Sequence, residues 1–140
     1  MTTRENLHDF LDRAEKSFSG EETIFMLNLL QYRDRALYNG NQSHEPCSGR
    51  DAYFTRYIPV FGRLTEGLNI KPLWVGKVGA QLIAPVDEPW DDIALIRYPD
   101  FATFKRVAES ADYEREAEPH RLAALAGWKL IAATELTIAR

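Results

Sequence analysis

Asn28 interrupts the apolar run "TIFMLNLLQYR" (residues 23–33), with Met26, Leu27, Leu29 and Leu30 around it. A buried amide without a partner costs about 1–3 kcal/mol, so this one must pair with the protein or with a ligand. As a protein group it pins strand register or ties down a neighbouring loop. As a ligand group it donates to a substrate carbonyl or to oxygen. Arg97, in "ALIRYP" (94–99), shares strand parity with Ile93 and Leu95. It pairs with a carboxylate such as Asp91 or Asp92, meets an anionic ligand that suits its planar fork, or is simply exposed. Together the amide and the guanidinium have the chemistry to stabilise an enolate or phenolate.

Tyr53 and Tyr57 lie four apart, on one helical face. Aromatics at that spacing usually fill cores, yet buried hydroxyls need partners and can edge a pocket. His120 and Arg121 follow Pro119. If Pro119 opens a new helical turn, free N–H groups there favour an anion. His120 is then the histidine placed for acid–base work, because His8 belongs to an amphipathic helix and His44 to a polar loop. His120 or Tyr57 is the expected proton carrier; the plainer alternative for His120 is a hydrogen-bonded structural imidazole. Trp74, and Trp90 with Asp91 at a strand start, either wall a flat apolar ligand or anchor a dimer interface.

Other chemistries find no support. The lone Cys47 excludes an internal disulfide framework and a cysteine-based zinc site within one chain. The three histidines are isolated, no carboxylate–histidine pair has helical ligand spacing, and no glycine-rich phosphate loop is present. No metal and no cofactor are expected. The net charge of −4, with basic residues scattered among acids, argues against nucleic acid. "MTTRENLHDFLDRAEKSF" lacks a hydrophobic signal core and no run approaches bilayer length, so a cytoplasmic, membrane-free protein is expected.

The elements that must position these groups follow from periodicity. Leu7, Phe10, Leu11, Ala14 and Phe18 predict an amphipathic helix over 4–18. Residues 23–32 read as a strand apolar on both faces. The loop 34–48 is long enough to be functional or mobile. Ser48 and Asp51 approximate a capping box before a helix running to Leu64, with Pro59 expected to kink it. A strand with a second arm is predicted over 71–85, a strand over 90–99, helices over 100–110 and 112–125, the latter broken at Pro119, and a last strand over 128–138. That order is α+β, a ferredoxin-like βαββαβ split unit with an antiparallel sheet. Residues 1–20 are an N-terminal helical extension and 21–140 the domain. Helices cover one face of such a sheet, while these strands are apolar on both. A homodimer whose sheets pack face to face resolves the conflict.

With those segments laid out, "MLNLLQYR" (26–33), "SGRDAYFTRY" (48–57), "PLWVGKV" (72–78), "WDDIALIRYPDFATF" (90–104) and "SADYEREAEPHRLAAL" (110–125) resemble the dimeric α/β-barrel superfamily. The likeness is to one of its branches of unknown function. It spans about 23–138 and implies a homodimeric barrel with a ligand pocket. Relatives there include cofactor-free quinone monooxygenases, haem-degrading monooxygenases and small isomerases. In the haem-degrading group an asparagine on the first strand belongs to an Asn–Trp–His set. Here Tyr98 falls where the tryptophan belongs and Ala117 where the iron-ligating histidine belongs, which argues against haem. The resemblance implies a pocket and is nearly silent on reaction; the convergence of Asn28, Arg97, His120 and Tyr57 in such a fold is what points to a cofactor-free enzyme moving a proton or adding oxygen at an activated carbonyl or phenol. Tyr53, Trp74, Trp90, Asp91, Tyr98 and Arg121 would contact the small organic ligand. The alternative is a non-catalytic ligand-binding or structural dimer.

Overall fold

A computed structural model describes residues 6–40 and 44–138. Helix α1 (Leu7–Glu15) is shorter than predicted; Lys16 to Phe18 form turns, and positions 4 and 5 lie outside the described residues. Strand β1 (Ile24–Tyr32) follows the apolar run closely. Helix α2 is a composite of Gly49–Asp51, a π-helical Ala52–Tyr57 and an α-helical Ile58–Leu64. Ser48 caps it by accepting from the Asp51 N–H at 3.0 Å. Then come β2 (Lys71–Lys77), β3 (Asp92–Tyr98), α3 (Phe101–Glu109), the composite helix α4 (π-helical Tyr113–Ala117, then Glu118–Ala124) and β4 (Leu125–Ala133).

Both internal prolines sit at the second position of an α-helical segment, directly behind a π-helical one. Proline cannot donate to the carbonyl four residues back and pushes it aside. A wider turn absorbs that mismatch. Pro119 therefore does not break α4, and no helix begins there with free N–H groups. The second arm predicted after β2 is absent; 78–91 is irregular and carries Leu82 and Ile83 in near-complete exposure. β4 starts three residues earlier than predicted, because Leu125 and Ala126 pass from helix to strand without a turn.

The four strands form one antiparallel sheet in the order β2-β3-β1-β4. Alternation gives it two different faces. Ile24, Met26, Asn28 and Leu30 of β1, with Ala94 and Tyr98 of β3, are buried toward the helices. Trp74, Leu95, Leu27 and Ile131 make a row across all four strands on the opposite face, where no described helix lies. On the helix side the core falls into two clusters. One gathers Leu30, Tyr53, Tyr57, Ala124 and Leu125. The other gathers Leu11, Ile24, Met26, Tyr98 and Phe101, so α1 completes it. Phe18 stacks on Phe101 at 5.2 Å, and Lys105 of α3 pairs with Asp12 and Glu15 of α1. Among the described residues no helix is long and apolar enough to cross a membrane.

Candidate functional site

The space between the two core clusters is a cavity of about 1620 Å³, floored by the sheet and roofed by the helices. Asn28 lies in the middle of the floor, in the row Val75–Ala94–Asn28–Leu130. The small Ala94 beside it leaves room above the strand. Its Nδ2 donates to the Met26 carbonyl at 3.2 Å, so half of the amide is tied to its own strand.

α2 and α4 bring the polar roof. Tyr53 and Tyr57 stack at 5.1 Å, and the Tyr57 and Tyr113 hydroxyls lie 2.9 Å apart. Arg121 is only 9% exposed. Its guanidinium lies over the Tyr57 ring, with Cζ 5.6 Å from the centroid, a favourable cation–π arrangement. Its Nη2 has no hydrogen bond with any described residue, and none of the ion pairs between described residues involves it. Burial raises the pKa of Tyr53 to about 12 and pushes Tyr57, Tyr98 and Tyr113 above the ordinary phenol value. These phenols stay neutral at physiological pH, so they serve as hydrogen-bonding groups and not as bases. Tyr98 lines the cavity too, as do Thr65, Glu118 and Trp128.

The four residues expected to share one site are divided. Asn28 and Tyr57 line the cavity. Arg97 is paired across from Phe25 on the opposite sheet face, at a shallow depression of about 310 Å³ with Glu22 and Glu135. Neither expected carboxylate is its partner. Asp92, 1% exposed, accepts from Tyr32 Oη at 2.6 Å and pairs with Arg50 at 3.1 Å. Asp91 Oδ2 accepts from the Tyr32 N–H at 2.9 Å, fastening the end of β1.

His120 faces away from the cavity, into the loop after β1. Its Nδ1 is 2.8 Å from Tyr38 Oη, and Arg56 Nη1 donates to the same oxygen at 3.1 Å. With Arg56 donating to that oxygen, the Tyr38 hydrogen is available to a neutral His120 whose Nδ1 accepts. His44 stacks on Tyr38 at 4.1 Å. Burial lowers the His120 pKa, and the nearby His44 and Arg56 add to the effect. The tryptophans are also displaced. Trp74 is 58% exposed on the outer face, with its ring over Gly76, and Trp90 packs beneath Lys129. Neither lines the cavity.

Tyr113 and Trp128 were missed in the sequence. Tyr113, Ala117 and Arg121 recur every four residues, as Tyr53, Tyr57 and Phe61 do, and that matched pair of patterns was the available signal. Trp128 had none beyond its place in the last strand. Among the described residues no group of three histidine, cysteine or acidic side chains is placed to hold a metal ion. Among the described residues the cavity thus offers one permanent cation, Arg121, several neutral phenols, the amides of Asn28 and Asn69 and the carboxylates of Glu66 and Glu118, within walls that are otherwise largely apolar.

No family model matches the chain. The crystal structure of methylated RPA0582 protein superimposes with a TM-score of 0.79 at 32% identity, covering 100% of this chain and 96% of that one. A second crystal structure, of the RPA0582 protein of unknown function from Rhodopseudomonas palustris, gives 0.78 at 33% identity, covering 99% and 97%. Over 95 residues the chain is 33% identical to the beta subunit of ADP-forming succinate–CoA ligase from Chlorobaculum parvum. That match takes in 66% of this chain and 24% of the ligase subunit, so the chain spans about a quarter of that protein.

Proposed function

Because this chain belongs to the family of the Rhodopseudomonas palustris protein, whose function is unknown, we propose a role from its own cavity: it binds a small organic molecule between sheet and helices. The observation that carries this reading is a large, mostly apolar space with a few polar groups gathered on its roof, the usual make-up of ligand sites. The domain is read as a ferredoxin-like unit over 21–140, supported by the order β2-β3-β1-β4, with the N-terminal helix walling one end of the cavity. Two such units pair through their uncovered sheet faces to form a homodimeric α/β barrel. The apolar row Trp74–Leu95–Leu27–Ile131 supports that pairing.

A cofactor-free enzyme is the second reading. Asn28, Tyr57 and Arg121 would stabilise a developing enolate, and the Glu118 carboxylate, which lines the same cavity, would be the base. Arg97 and His120 have no part in it, because they stand outside the cavity.

Nile red, a neutral apolar fluorophore, tests the binding reading. Its emission should rise on titration with the protein and saturate. Ala94→Trp, which fills the floor beside Asn28, should abolish that rise while the circular dichroism spectrum is kept. An unchanged titration with a folded Ala94→Trp protein would refute the cavity as the site.

A further inference from the structure

We propose that the ligand is an amphipathic monocarboxylate, its carboxylate held by Arg121 beside the Tyr57 hydroxyl and its apolar body lying toward Met26, Ile96 and Phe101. The proposal rests on the small-molecule reading above and specifies its chemistry.

A guanidinium has five donors and keeps its charge at any physiological pH. Burying such a charge is costly unless it is paired and hydrogen-bonded. Arg121 is nine-tenths buried, and its Nη2 makes no hydrogen bond with a described residue. The cation–π contact with Tyr57 satisfies the face of the guanidinium, the Tyr53 and Tyr57 hydroxyls take part of its edge, and Nη2 is left to donate. A carboxylate fits that plane with two parallel bonds. Of the Tyr57 and Tyr113 hydroxyls, kept neutral by burial, one donates to the other, and the hydrogen of the second is left to donate one more.

The charge count selects a monoanion. Arg121 is the one cation among the described lining residues, where Glu66 and Glu118 also stand, so the second charge of a phosphate dianion finds no further cation there. The geometry of the core selects the body. Arg121 stands over the cluster holding Tyr53 and Tyr57. The cavity continues from there to the second cluster, where Met26, Ile96 and Phe101 are joined by Leu7 and Leu11 of α1. A ligand with one charged end and an apolar remainder spans that length.

Displacement of Nile red by dodecanoate, dodecanol and dodecyl phosphate separates the possibilities. With the wild-type protein, dodecanoate should compete about tenfold or more better than dodecanol, the scale of one charge-assisted hydrogen bond, and also better than dodecyl phosphate. Arg121→Met should bring the dodecanoate and dodecanol midpoints together. Should that variant fail to fold, Arg121→Lys, which keeps the charge but not the fork, should retain part of the preference. Equal displacement by dodecanoate and dodecanol from the wild type overturns the proposal and leaves the cavity reading intact. A better fit for dodecyl phosphate, or a preference unchanged in a folded Arg121→Met protein, overturns it as well. If Nile red does not bind at all, both readings fall together.

Discussion

Tyr57 and Tyr113 meet through their hydroxyl oxygens at 2.9 Å, each contributed by a π-helical turn of a different helix. This contact joins the two wide turns over the cavity and orders the phenols around Arg121. Tyr57 is buried and Tyr113 half-buried, so losing either hydroxyl leaves its partner poorly satisfied. Tyr57→Phe and Tyr113→Phe should each destabilise the fold by about 1–2 kcal/mol in urea denaturation. The double variant should lose less than the sum, by about 0.5–1.5 kcal/mol, because the second substitution removes a hydroxyl already deprived of its partner. Strict additivity would mean that the two hydroxyls do not support one another.

Gly49 is held where three chain segments converge. Its N–H donates to the Arg33 carbonyl at 3.0 Å, and the Arg33 N–H donates to the Ala124 carbonyl at 2.8 Å. A Cβ at this position would stand 2.5 Å from the Ala124 carbonyl oxygen, and backbone cannot swing aside as a side chain does. Gly49→Ala should cost about 1–3 kcal/mol. Gly62, in the α-helical part of α2, is the control, since a methyl group added there would meet nothing within 4 Å. Gly62→Ala should be stabilising by roughly 0.5–1 kcal/mol. Equal effects at the two sites would contradict the close packing at Gly49.

Much of this architecture was legible in the sequence, and the gaps have physical causes. The run around Asn28 announced β1 almost residue by residue, and Ser48 announced the start of α2. Strand parity correctly grouped Arg97 with Ile93 and Leu95. Parity separates two faces without saying which one the helices cover, and β1 is apolar on both, so Arg97 was assigned to the wrong side of the sheet from Asn28. His120 and Arg121 were read as a pair, but adjacent residues on a helix point about 100° apart. Only one of them enters the cavity. The Tyr38–His44–His120 contacts arise in an irregular loop, where no period exists to read.

The uncovered sheet face makes association measurable. Leu95 lies at its centre, across from Leu27 on one side and Trp74 on the other. The wild-type protein should elute as a dimer at micromolar concentration. Leu95→Lys should elute as a monomer with an unchanged circular dichroism spectrum, since a lysine there faces solvent in the single chain and is buried only in the pair. A monomeric wild type would remove the barrel from consideration.

Acid should loosen the loop that His120 holds. Its pKa in the fold is depressed, by burial first and then by His44 and Arg56. The unfolded chain, with an ordinary value of about 6.5, therefore takes up the proton first as pH falls. The contribution of neutral His120 is complete above about 6.5 and is lost on going down through the lower folded value. Protonation of Nδ1 also turns the acceptor for Tyr38 into a donor. Between about pH 7.5 and pH 5.5 the wild type should lose more stability than His120→Gln, as read by denaturant midpoints. An equal loss in both proteins would assign the acid sensitivity to other groups.

The π-helical turn at Tyr113–Ala117 has a consequence for the kind of charge that the cavity contains. A wide turn holds one residue more than the α-helix it replaces. Everything after it is displaced by one position around the axis. In an uninterrupted helix the place now taken by Arg121 would fall to His120. The turn thus acts as a selector between two neighbouring bases, one permanently cationic and one that titrates near neutrality. By admitting the arginine and turning the histidine outward, it makes the charge in the cavity constant while leaving the response to acid to the loop outside.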